Sequence, residues 1–128
     1  VFCGNCVGAS LVGLLTMARP SLGKAAALLC VAKLDKGWIE WFLASILCGV
    51  FIAIGVLGYS RNRNEKNPLI VVLAVMGFIL AGAEHVIADM FYFTAGGMIG
   101  SWQVILRLWL CAVGNLIGGY AFGKVVET

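Results

Sequence analysis

The sequence predicts an all-α membrane protein, a bundle of transmembrane helices forming a single domain over residues 1–128. Three observations predict it. Hydrophobic residues make up 62% of the chain and charged residues 12%, with a mean hydropathy of +1.01, whereas soluble domains run at about 45–50% and about 25%. The apolar residues gather into runs near the roughly 20 residues that a helix needs to cross about 30 Å of hydrocarbon. The longest run carries Glu84, His85 and Asp89 in its middle, where hydrocarbon should be.

The first segment, 1–18, is apolar apart from Asn5, Ser10 and Thr16, and stops at Arg19-Pro20, because proline ends a helix. Its Gly4 and Gly8 have the G-x-x-x-G spacing that lets two helix backbones approach. Val1 already lies inside the apolar run, so the chain reads as part of something longer. The stretch 21–37 holds a short apolar core, 25–32, between Lys24 and the Lys33, Asp35, Lys36 group. That core is too short to span and reads as either an interfacial helix or a re-entrant one. The second span, 38–59, has Trp38 and Trp41 at one end and Tyr59 at the other, the interfacial positions aromatic residues prefer. The polar link 60–67 carries Arg61, Arg63 and Lys66, which would place it in the cytoplasm, although Arg19, Lys24, Lys33 and Lys36 on the other side count equally. Pro68 opens the third segment, 69–98, which is too long to be one uninterrupted span and is expected to break near 84–89. The fourth, 102–125, begins with Trp102 and carries Arg107 and Lys124.

The third segment carries the chemistry. A charge at the bilayer centre costs about 2.5–3.5 kcal/mol on insertion scales, so such residues face a bundle interior or a watery path. Gly82, Gly96 and Gly97 flank the ionisable group, and glycine-interrupted apolar segments are how transporters break a helix at the midplane. A repeat supports two related halves: Gly4-Asn5-Cys6-Val7-Gly8-Ala9 and Gly114-Asn115-Leu116-Ile117-Gly118-Gly119 share G-N, a variable residue, a β-branched residue, then glycine and a small residue.

Other classes find little support. The net charge of +3 is scattered over several links, so nucleic acid is not an expected partner. The five cysteines, an odd number, include Cys3-x-x-Cys6 but form no plausible disulfide framework. Glu84, His85 and Asp89 lack a recognised metal-ligand spacing, and no nucleophile and base pair suggests an enzyme. No metal or cofactor is expected.

With the repeat and the broken helix in place, the sequence resembles the formate/nitrite transporter family of pentameric anion channels. The stretch from Gly82 through Glu84-His85 to Ala88-Asp89-Met90-Phe91 resembles the family's G-x-E-H-S-x-A-N-M-F motif, and Gly114-Asn115-Leu116-Ile117-Gly118-Gly119 its G-N-x-I-G-G. The N-terminal Phe2-Cys3-Gly4-Asn5 resembles the family's third helix, and Trp38-Ile39-Glu40 the start of its fourth. The resemblance implies an aquaporin-like inverted-repeat architecture with a broken pore helix, of which this chain would hold helices three to six and lack the first two. It departs from the pattern at Asp89, where the family has asparagine, at Gly49, where asparagine is common, and before Gly114, where a proline is missing. A carboxylate one turn from His85 would favour a protonated imidazole if the two are close.

The resemblance further implies a multi-pass protein of the cell membrane, a homopentamer, moving small monovalent anions of weak acids such as formate, nitrite or hydrosulfide. In that picture His85 supplies a hydrogen bond or proton at the centre, Lys33 draws the anion, Phe78 lines the constriction, and Asn115 orients polar groups. Glu84, Asp89 and Asn5 support, with Glu84 satisfying backbone N–H groups at the break. A competing expectation is a non-conducting fragment or structural subunit of a larger channel, in which changing His85 would alter nothing.

Overall fold

The computed structural model describes residues 1–61 and 67–127. Arg63 and Lys66, two of the three basic residues on which the cytoplasmic reading of the polar link leaned, lie outside the described residues. All regular structure among the described residues is helical, in the order α1 (Phe2–Met17), α2 (Pro20–Asp35), α3 (Trp38–Arg61), α4 (Leu69–Leu80), α5 (Val86–Ala95) and α6 (Trp102–Glu127). Two of them, α3 and α6, are long and apolar enough to cross a membrane, with mean hydropathies of 2.3 and 1.5 over their most apolar windows. The stretch read as interfacial or re-entrant is a continuous 16-residue helix with Pro20 in its first turn and Arg19 before it in extended conformation, as the residue before a proline prefers. The chain divides into two compact units, Val1–Trp41 with Val86–Trp109, and Phe42–His85 with Leu110–Thr128.

In the first unit α5 packs on α1 and α2 through small residues. A Cβ on Gly13 would stand 2.7 Å from Thr94 Cβ, and one on Gly96 would stand 2.9 Å from Cys30 Sγ and 3.1 Å from Ala27 Cα. Cys30 Sγ donates to Tyr92 O at 3.1 Å, so this thiol serves packing and is not part of a disulfide. Arg107 is 2% exposed. Its guanidinium lies 4.5 Å from the Trp38 ring and 5.0 Å from the Trp41 ring, and its Nη2 donates to Leu34 O at 2.9 Å and Lys36 O at 2.7 Å. It thereby satisfies carbonyls at the end of α2, which no later turn can reach. Trp41, fully buried, donates Nε1–H to Arg107 O at 3.0 Å. Lysine lacks the planar fork that stacks and donates together. Arg107→Lys is therefore expected to lower stability by about 2 kcal/mol, read as a lower midpoint of thermal unfolding in detergent followed by tryptophan fluorescence.

In the second unit α3 and α6 meet backbone to backbone. A Cβ on Gly118 would collide with Ile46 O and lie 3.1 Å from Val50 N, one on Gly49 would collide with Asn115 O, and one on Gly114 would stand 2.6 Å from Ser45 Cβ. α4 joins α3 through Gly55, 3.2 Å from Ala74 Cβ on the same measure, and through Gly77, 2.8 Å from Phe51 Cε1. Glycine is required here by closeness, the feature small residues confer on membrane helix pairs.

Candidate functional site

The third segment breaks over residues 81–85, between the end of α4 at Leu80 and the start of α5 at Val86. The break is built by glycine. Gly82 has φ +64°, its N–H donates to Ile79 O at 3.1 Å, and the Ala83 N–H donates to Phe78 O at 3.0 Å. This pair of bonds is the Schellman ending, which needs a left-handed residue just past the helix. The end of α5 repeats it: Gly97 has φ +73°, its N–H donates to Thr94 O, and that of Met98 donates to Phe93 O. Both halves of the interrupted segment thus stop by the same local device.

Between the two halves, Ala83-Glu84-His85 runs without regular structure and is held from both sides. The Glu84 N–H donates to Ala44 O of α3 at 3.2 Å. The Glu84 carbonyl accepts from Asn115 Nδ2 of α6 at 2.8 Å and from Cys111 Sγ at 3.2 Å. Asn115 Nδ2 also donates to Ser45 O at 2.8 Å. One amide thus ties α3, the break and α6 together, and a primary amide suits this because it carries two N–H donors. The Glu84 side chain is fully buried.

This clamp leaves His85 half-buried beside a cleft of about 340 Å³ whose lining includes Gly49, Ile52, Val56, His85, Asn115 and Gly119. Among the described residues, His85 and Asn115 are the two side chains in that lining able to hydrogen-bond; the rest is aliphatic or glycine. The Phe78 ring stacks against the His85 imidazole, with centroids 5.8 Å apart and planes inclined by 24°. The absence of a side chain at Gly49, where the resemblance led one to expect asparagine, lets the Asn115 backbone come close and leaves open space beside it. An apolar cleft with two convergent polar groups is the usual form of a small-molecule site.

His85, Phe78, Glu84 and Asn115 therefore come together in the second unit. Lys33 and Asp89 come together in the first, where Lys33 Nζ donates to Asp89 Oδ1 at 2.9 Å. The Asp89 side chain is fully buried and that of Lys33 is 18% exposed. Lys33 Nζ also lies 5.6 Å from the Tyr92 ring centre and 5.8 Å from that of Trp41. The carboxylate expected to act on His85 is thus engaged by an ammonium group. Asn5 is exposed on α1, and Gly4 and Gly8 have open space around them among the described residues, so the two copies of the repeat differ in packing. Sequence reasoning assigned no role to Arg107, Ser45 or Cys111. For Arg107 the signal was present, an arginine five residues into an apolar helix, since such a charge has to find partners.

Comparison with known proteins bears on the family of the chain. The family model described as formate/nitrite transporter matches residues 1–128. The chain is 31% identical over 96 residues to formate-nitrite transporter 2 of Toxoplasma gondii, covering 70% of this chain and 21% of that protein. It is 30% identical over 125 residues to the uncharacterized transporter YrhG of Bacillus subtilis, covering 94% and 44%. With the formate channel FocA of Haemophilus influenzae it shares 29% over 65 residues, covering 50% and 23%. The chain thus spans less than half the length of these relatives. No solved structure matches it. The match of the family model from the first residue of this chain to its last places the protein in the formate/nitrite transporter family.

Proposed function

We propose that these helices form the pore-bearing part of a channel or transporter for small monovalent anions of weak acids, the class to which formate, nitrite and hydrosulfide belong. The observation that carries the proposal is the pairing of His85 with Asn115 as the polar members of an otherwise apolar cleft. An ion cannot cross such a cleft bare, because leaving water costs many kcal/mol. A small acid crosses once it takes up a proton or shares one through a hydrogen bond. Histidine is the side chain that gives or accepts a proton near neutral pH. In this reading Phe78, stacked on His85, lines the constriction, and Asn115 holds the break so that the imidazole stays at the cleft. Glu84 and Asp89 support the two ends of the interrupted segment, and Asn5 is the counterpart of Asn115 in the repeat. Family membership supports anion transport, and the name of the Haemophilus relative, a formate channel, supports the substrate class. The remaining parts of the reading are a homopentamer, a multi-pass position in the cell membrane, and proton exchange at His85.

The test is uptake of formate, nitrite and hydrosulfide into proteoliposomes loaded with a pH-sensitive dye. His85→Ala is expected to lower flux roughly ten- to a hundredfold, the worth of one hydrogen bond to a charged group, and to change its dependence on pH. Flux that His85→Ala leaves untouched would sink the assignment. Correctly inserted wild-type protein without flux would favour the competing reading, a structural subunit or one part of a larger pore.

A further inference from the structure

The mechanism above gives Asp89 a supporting place and makes no use of its charge. Asp89 is completely enclosed, and its carboxylate lies 2.9 Å from Lys33 Nζ in the first unit. The buried cation of that unit among the described residues, Arg107, is enclosed by Trp38, Trp41 and two carbonyl oxygens, and so presents no charge to a small solute. Lys33 differs, being partly exposed. A small anion can approach it, and its charge is met at contact distance by a carboxylate.

We propose, building on the pore reading, that Asp89 is a specificity-determining residue. By pairing with Lys33 it reduces by one unit the positive charge this position offers, and so biases the protein away from small anions and toward the uncharged acid form of the same solutes. Three features support this. The ion pair is short, and its carboxylate is buried, so water screens it little. Lys33 also faces the Tyr92 and Trp41 rings, which favour an ammonium group over an amine when a neighbouring charge is removed. Asparagine has nearly the shape of aspartate and accepts a hydrogen bond from the ammonium through its oxygen, so Asp89→Asn changes the charge while keeping the contact.

The experiment measures formate binding to the detergent-solubilised chain by saturation-transfer difference NMR, with formamide as an uncharged probe of similar size, alongside flux in proteoliposomes. Asp89→Asn is expected to strengthen formate binding on the order of tenfold, the lower end of what a local field does to counter-ion concentration, and to leave formamide binding unchanged. The double variant K33Q/D89N is expected to lose that gain. A purely structural role for the pair would weaken both probes in both variants. Equal formate binding in wild type and Asp89→Asn overturns the inference, as does a gain that survives in the double variant. An Asp89→Asn protein that cannot be recovered folded also overturns it, since the pair would then be a structural lock. Wild-type protein that conducts, with formate binding insensitive to Asp89→Asn, removes this inference and leaves the pore reading standing. Absence of wild-type flux removes the pore reading, and with it the pore role given to Asp89.

Discussion

Gly118→Val is expected to yield no folded protein. The valine Cβ would have to occupy the position of the Ile46 carbonyl oxygen on α3, with the Ile46 carbonyl carbon at 2.9 Å and Val50 N at 3.1 Å. These are backbone atoms inside a helix, so no rotamer change relieves the overlap, and the two helices must separate along the seam that also holds Gly49 and Gly114. Overpacking a core costs about 1–3 kcal/mol when side chains can shift. With rigid backbone on the other side the cost should be at the top of that range or beyond it. The measurement is the share of detergent-extracted protein that elutes as a single species, which should fall to near zero. Gly123→Ala on the same helix is the control: a Cβ there meets nothing within 4 Å among the described residues. It should be neutral or stabilise by about 0.5–1 kcal/mol, because alanine favours the helix over glycine.

The second large effect is expected at Asn115. Asn115→Asp keeps the shape but replaces a group with two donors by one with none, facing the carbonyl oxygens of Ser45 and Glu84, each 2.8 Å from Nδ2. Two acceptors lose their partner and gain a negative neighbour, at a cost of about 3 kcal/mol or more. Asn115→Leu removes the donors without adding charge and should cost less. The ordering of unfolding midpoints is therefore wild type above Asn115→Leu above Asn115→Asp. Lowering the pH should bring Asn115→Asp back toward the leucine variant, because a protonated carboxyl group regains one O–H donor. A midpoint for Asn115→Asp equal to that of wild type at neutral pH would show that the amide does not hold the break.

The parts of this arrangement that were legible in the sequence are those set by local rules. Gly82 and Gly97 announce helix endings because only glycine adopts a left-handed backbone freely, and both stand where the structure ends a helix. His85 and Asn115 were conspicuous as polar residues in apolar runs, and both reach the cleft. What could not be read was pairing across long separations. Nothing in the spacing joins Lys33 to Asp89, 56 positions apart, or Arg107 to Leu34, 73 apart. The helix α2 covers nearly the stretch 21–37 although its hydrophobicity is interrupted by Lys24 and Lys33, because alanine, leucine and lysine are all good helix formers. Length of apolar run and length of helix are different quantities, and the apolar core 25–32 is only part of this helix.

The tether on the break also sets an order of events in biogenesis. The carbonyl of Glu84 and the amide that holds it are 31 positions apart, and that of Ser45 precedes the same amide by 70. A chain made at about 5–20 residues per second therefore exposes both carbonyls seconds before Asn115 has been synthesised. The α4 ending needs no such delay, since its bonds lie within a few residues of one another. The hairpin of α3 and α4 can thus form early, with its own glycine contacts at Gly55 and Gly77. The segment 83–85 waits for α6 to arrive, so the histidine is fixed in place only once Asn115 has been made.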